Sequence, residues 1–248
     1  MNREIAASVL VGVLGVAGSA RAEGEDKYRF GSPGVIISAD RLLPLVSYES
    51  VKTTQADGSS DTQSRLSIAL LNNGPFGVFG TFYNLPRVGF DWVPVQNVTI
   101  GGSAWLYAQL LATDSLSPAT GGSKPSTDQP KVTYWGVAPR IGYIIPISKL
   151  VSLWPRAGVE YHHVSSSSGG SSVSPSVTQF ALGAEALVVI STWSHFGFTV
   201  GPTVDVPITG ESTSTASTGT GTSGAAASTS VDSAMFQIGA SAGFLGHF

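Results

Sequence analysis

Apolar and polar residues alternate along most of this chain. Phe196, Phe198, Val200, Pro202, Val204 and Val206 fall on one side, and Gly197, Thr199, Gly201, Thr203 and Asp205 on the other. A helix needs apolar residues every three or four positions, so a period of two predicts a strand. The split recurs at Phe180, Leu182, Ala184, Ala186 and Val188 against Gln179, Ala181, Gly183 and Glu185. It recurs again at Trp135, Val137, Pro139, Ile141 and Tyr143 against Tyr134, Gly136, Ala138, Arg140 and Gly142. Leu153, Pro155, Ala157, Val159 and Tyr161 alternate likewise with Trp154, Arg156, Gly158, Glu160 and His162. Further strands are predicted around Val88, Phe90 and Trp92, from Val98 to Leu106, and from Phe236 to the terminal Phe248. A first strand is placed within residues 35–51, where Arg41-Leu42-Leu43-Pro44 breaks the alternation and predicts a bulge.

The connections alternate in length. Residues 95–97, 147–149 and 191–194 read as tight turns, whereas 53–84, 113–130, 165–175 and 208–230 are long, several of them rich in Ser, Thr and Gly. A soluble sandwich has no reason to sort its connections this way. Short turns at one end and long polar loops at the other suit an all-β, closed antiparallel up-and-down transmembrane β-barrel, with eight strands of about 9–11 residues. Ten strands are the alternative. It depends on the apolar stretches Leu66 to Leu71 and Phe76 to Phe82, which flank the turn signal Asn73-Gly74; a loop capping the opening is the preferred reading. The tract from Thr209 to Ser230 is almost entirely Ser, Thr, Gly and Ala and reads as a solvated loop.

Composition adds a destination. Arg3, the apolar stretch from Ile5 to Ser19 and the small residues of Ala20-Arg21-Ala22 read as a signal peptide over 1–22 cleaved after Ala22, leaving 23–248 as the barrel domain. Losing Arg3, Arg21 and Glu4 with that leader takes the net charge from -3 to -4. With no basic cluster, no nucleic-acid partner is expected. The absence of cysteine means that the exported chain uses no disulfide and no lipoprotein anchor.

In lipid the apolar faces must point outward, because hydrocarbon offers backbone groups no hydrogen bonds and only a closed sheet satisfies them internally. Outward aromatics then form two girdles: Trp135, Tyr161, Phe180 and Phe236 toward the long loops, and Trp92, Tyr143, Phe196 and Phe244 toward the short turns. The eight steps from Trp135 to Tyr143 span roughly 26 Å of strand, or about 20 Å of height once tilted. The inward faces carry Asp40, Arg87, Asp91, Arg140, Arg156, Glu160, Glu185 and Asp205. A turn centred near 148 would set Arg140 opposite Arg156, and a loop centred near 170 would bring Glu185 to Arg156. An ionic network is therefore expected, with Glu185, helped by Asp91, separating the two arginines. Trp105 and Tyr134 add bulk to an interior just wide enough for side chains, which argues against an open pore.

The chemistry-bearing residues are few. His163 and Ser165 share the lipid-facing side in an H-x-S spacing that resembles the catalytic pair of outer-membrane lipid A deacylases. No carboxylate is expected beside them, and the Ser run from 165 to 168 makes the spacing commonplace, so no catalytic residue is assigned. His195, in a turn, and His247, on the last strand, are expected to lie too far apart for a metal, and no cofactor is expected. Asn97-Val98-Thr99 matches a glycosylation sequon but lies in a tight turn, and no role is assigned to it.

The last strand is the most specific feature. Phe236, Ile238, Phe244 and Phe248 share one face and Phe248 ends the chain, which resembles the closing strand of Gram-negative outer-membrane barrels. That resemblance implies that these residues are the signal read by the barrel-assembly machinery. In architecture the chain from about Phe30 to Phe248 resembles small OmpA/OmpX-type barrels, without the peptidoglycan-binding module that follows the barrel in OmpA. The run from Tyr83 to Asp91, followed by Thr99 to Ser103, also resembles uncharacterised small barrels of this kind. The resemblance implies an integral protein of the bacterial outer membrane, bathed in its lipid, with a structural or surface-contact role through the long loops. A narrow pore and a lipid-modifying enzyme are the alternatives.

Overall fold

Every alternating segment becomes a strand. The computed structural model describes residues 30–55, 58–68, 85–109, 113–115, 126–128, 131–167, 173–193, 195–217 and 226–248. The leader and the apolar stretch Phe76 to Phe82 lie outside them. In chain order the strands are β1 (Gly34–Thr54), β2 (Ser60–Ile68), β3 (Arg87–Val95), β4 (Val98–Gln109), β5 (Thr113–Ser115), β6 (Ser126–Asp128), β7 (Lys131–Tyr143), β8 (Ile145–Pro146), β9 (Val151–Ser167), β10 (Val173–Trp193), β11 (Phe196–Ser217) and β12 (Ala226–His247).

Eight of these pair antiparallel in the order β1-β3-β4-β7-β9-β10-β11-β12, and β12 pairs back onto β1, so the described residues close a ring. The seam runs from Ile36 opposite His247 to Thr54 opposite Asp232. Beyond it, Val35 and Phe248 exchange backbone hydrogen bonds of 2.8 and 2.9 Å, which carries the ladder to the terminal residue. The sheet contains ten strands, but β2 pairs with the far half of β1 and β8 only with the start of β9. They extend the wall without widening the ring.

Several strands run well past the expected length. β1 and β10 have 21 residues and β11 and β12 have 22, against the roughly 9–11 that cross a bilayer. The tract from Thr209 to Ser230 is therefore not simply a solvated loop: Glu211 to Ser217 pair with Asp232 to Ala226 in continuous register. Composition misled here because it treats the tract as free chain. Each further pair extends a ladder already held in place, with no new loop to close, and threonine suits a strand. Likewise Leu66 to Ile68 do not cap the opening. They end β2, with Leu66 opposite Tyr48 and exposed on the wall.

The two faces differ as a membrane requires. On β3, Val88, Phe90 and Trp92 point out and are more than half exposed, whereas Arg87, Gly89, Asp91 and Val93 are buried inside. Ile100, Leu106, Val137, Ile141, Leu182, Phe198 and Ile238 continue the exposed apolar band around the ring. In water this band would cost about 25 cal/mol per Å² of apolar surface, whereas hydrocarbon covers it without penalty.

The lumen is layered, which the strand alternation did not reveal. At the short-turn end Phe30, Ile36, Val93, Ile144, Trp154, Leu187, Val189 and Leu245 form one buried apolar cluster. At the long-loop end Leu85, Trp105, Tyr134, Val164, Val177 and Met235 form another. Phe30 precedes β1 and tucks beneath the barrel, edge-on to Trp154 with ring centroids 5.7 Å apart. The charged residues lie between these two decks.

Candidate functional site: the ion-paired lumen

The ionic layer begins with a backbone irregularity. Arg41 adopts φ 53, the left-handed region that costs a non-glycine residue energy, and the register of β1 against β12 shifts between Ala39 and Leu43. The bulge turns two successive side chains, Asp40 and Arg41, into the lumen, where both are buried. Strict alternation places Arg41 outside, so this layer holds four arginines and five carboxylates, not three and five, and Glu49, further along β1, is buried as well. The break at Arg41-Leu42-Leu43-Pro44 was the only sign of this.

The nine charged groups form one chain of alternating sign. Arg140 holds Asp91 through Nη2 at 2.6 Å and Asp40 through Nη1 at 2.8 Å. Asp40 then meets Arg156 Nη2 at 2.9 Å, and Arg156 Nε donates to Glu185 at 2.5 Å. Glu185 accepts from Arg41 Nε at 2.8 Å, and Arg41 grips Asp205 with two hydrogen bonds of 2.7 and 3.0 Å. Arg41 also lies 3.6 Å from Glu160, which Arg87 grips with bonds of 2.6 and 3.1 Å. His162 Nε2 is 3.0 Å from Glu160 Oε2. Every member is at least nine-tenths buried.

The connectivity differs from the expected one. Arg140 lies opposite Gly158, and Arg156 opposite Gly142, because pairing of Ile145 with Leu153 moves the hairpin centre from 148 to 149. The group that separates Arg140 from Arg156 is Asp40, with one oxygen on each. Glu185 is the register partner of Arg156, and it separates Arg156 from Arg41 instead. Asp91 sits on the outer side of Arg140.

Aromatic and glycine residues fit around the charges. The Arg87 guanidinium lies 4.2 Å from the Trp105 ring and that of Arg156 4.5 Å from Trp154, so each apolar deck meets the ionic layer through a cation–π contact. A Cβ at Gly89 would come within 2.6 Å of Arg140 Nη2 and 2.9 Å of Asp40 Oδ2. One at Gly183 would lie 2.5 Å from Glu160 Oε1. At both positions only glycine leaves room for the network on the barrel wall.

The outward site residues lie as follows. Trp135, Tyr161 and Phe180 stand on adjacent strands with ring centroids 5.2 and 5.0 Å apart. At the other end Phe196 stacks on Phe244 at 5.8 Å, and Trp92 and Tyr143 are exposed on the same outer surface. Phe236, Ile238 and Phe244 line the outer face of β12, and Phe248, exposed below it, stacks at 5.9 Å on His195. His195 and His247 are not far apart after all: their rings are 5.9 Å from each other, and His195 Nδ1 bonds the His247 carbonyl at 2.9 Å. The pairing of β11 with β12 folds that turn back onto the last strand. Among the described residues no group of three His, Cys, Asp or Glu side chains is arranged to hold a metal ion. His163 Nδ1 bonds Thr178 Oγ1 at 3.1 Å, and its strand partners are Trp135 and Thr178.

A closed antiparallel ring with an apolar outside and a charged, packed inside defines a transmembrane β-barrel of the small outer-membrane type. No protein-family model matches the chain, and no curated protein matches it in sequence. Among solved structures it is similar to the outer membrane protein OprG from Pseudomonas aeruginosa, at 10% identity over 90% of this chain and 99% of that one, with a TM-score of 0.48. It is similar to the outer membrane protein AlkL in lipid bilayers, at 10% identity over 94% and 98%, with a TM-score of 0.47. The attachment invasion locus protein Ail of Yersinia pestis matches at 12% identity over 86% and 99%, with a TM-score of 0.31. The architecture rests on this chain's own ring of pairs, not on these likenesses.

Proposed function

We propose that this chain is a non-conducting, non-enzymatic integral protein of the bacterial outer membrane that serves as a scaffold for surface contact. The observation that carries this reading is the layered lumen: two apolar decks enclose an ion-paired layer, and no member of that layer is exposed. A pore needs a continuous wet path, and any ion crossing the decks would be stripped of water without replacement partners. The extended strands β1, β10, β11 and β12 carry Ser- and Thr-rich hairpin above the aromatic rings, a platform facing outward from the cell. A leader cleaved after Ala22 would deliver the chain. Phe236, Ile238, Phe244 and Phe248 on the closing strand would engage the barrel-assembly machinery, and the two sets of aromatics would sit at the lipid interfaces. His163 bonds Thr178 and faces Trp135, which supports the absence of a serine-hydrolase role.

Planar-bilayer recording tests the central claim. Purified protein should give no reproducible single-channel steps. Steps abolished by Arg140→Ala or Arg156→Ala would overturn the sealed reading in favour of a narrow pore.

A further inference from the structure

Several of the ionic layer's unused hydrogen-bonding groups belong to residues around one cavity. A cavity of about 20 Å³ lies among Arg87, Ser103, Arg140, Arg156, Glu160 and Glu185. Three of these residues carry buried polar atoms with no hydrogen-bond partner: Arg87 Nε, Arg156 Nη1 and Ser103 Oγ. A buried polar group left unmet costs about 1–3 kcal/mol, so two guanidinium N–H groups and a hydroxyl on residues lining one cavity define a site for a small group that can both accept and donate hydrogen bonds. The volume admits one heavy atom, since a single water needs roughly 10–15 Å³ by this measure.

Charge selects the occupant. The cavity itself is bordered by three arginines and two glutamates, but these arginines are already ion-paired and the layer as a whole holds four arginines against five carboxylates, so a halide would add uncompensated negative charge to the buried network. A cation is excluded from a cavity bordered by three guanidinium groups. We infer that this cavity is a site for one structural water molecule, which ties Arg87, Arg156 and Ser103 together and closes the ionic chain into a three-dimensional network. Water accepts from both arginines and has two protons left for Ser103 Oγ and for a bordering carboxylate. The apolar decks above and below make its exchange with solvent depend on local opening of the barrel.

Two measurements test the site. Crystals grown with sodium bromide as the only halide should show one density peak within hydrogen-bond reach of Arg87 Nε, Arg156 Nη1 and Ser103 Oγ, without anomalous bromide signal. An anomalous peak would make the site an anion site, and an empty cavity would show that the donors stay unmet; either overturns the inference. In detergent micelles, the Arg87 Nε proton should give a cross-peak to a water of long residence. Ser103→Ala removes one of the three partners, and the residence time should fall by about tenfold, the equivalent of one net hydrogen bond. Unchanged exchange in a folded Ser103→Ala variant would equally overturn it.

Discussion

Asp40 shows how much one residue holds in this barrel, because a single carboxylate neutralises two guanidinium groups on different strands. Removing one partner of a buried ionic network strands the others in low dielectric, at a cost of about 3–5 kcal/mol. Asp40→Asn should therefore lower the unfolding free energy measured by urea titration of refolded protein by that margin, and by more than Glu211→Gln on the exposed hairpin. Gln179 illustrates a different role. Its amide donates to the Met235 carbonyl at 3.0 Å and accepts from the Met235 N–H at 3.2 Å. It thereby stands in for β11 where the β11–β12 register breaks between Asp205 and Glu211. Gln179→Ala removes both of these buried hydrogen bonds and should cost about 1–3 kcal/mol in the same assay. The inward position of Gln179 was legible in the alternation, but its partner was not, since the gap depends on a bulge in another strand.

Among elements, the strands divide by what surrounds them. The membrane-crossing portions were readable because a lipid-facing side chain must be apolar and its neighbour need not be, which imposes period two. Above the membrane both faces meet water, the alternation disappears, and the Thr- and Ser-rich ends of β11 and β12 carry no pattern to read. Their pairing rides on the ladder below. A variant in which residues 212–230 are replaced by a four-residue Asn-Gly turn should still fold, and its heat-modifiable mobility on SDS gels should persist. Failure to fold would mean that the tall hairpin is needed to close the barrel.

For the whole molecule, the inside-out distribution predicts opposite responses to the same substitution. Val88 is 70% exposed in the middle of the apolar band, and Val88→Arg should destabilise the barrel by about 2–4 kcal/mol in bilayers. Thr213→Arg, on the projecting hairpin, should change stability by no more than about 0.5 kcal/mol. Equal effects would contradict the placement of hydrocarbon around the lower half of the wall. The sequence by itself determined the eight membrane-crossing strands, their inward and outward faces, the closed architecture and most of the inward charges, because each follows from local alternation under a solvent that forbids unpaired backbone. Only the tertiary structure decided that Arg41 joins the network, that Asp40 rather than Glu185 lies between Arg140 and Arg156, and that Phe30 and Leu85 help close the two ends. Those facts depend on bulges, on a one-residue shift of a hairpin centre and on contacts across the barrel between strands distant in sequence, and none of these leaves a periodic trace in the chain.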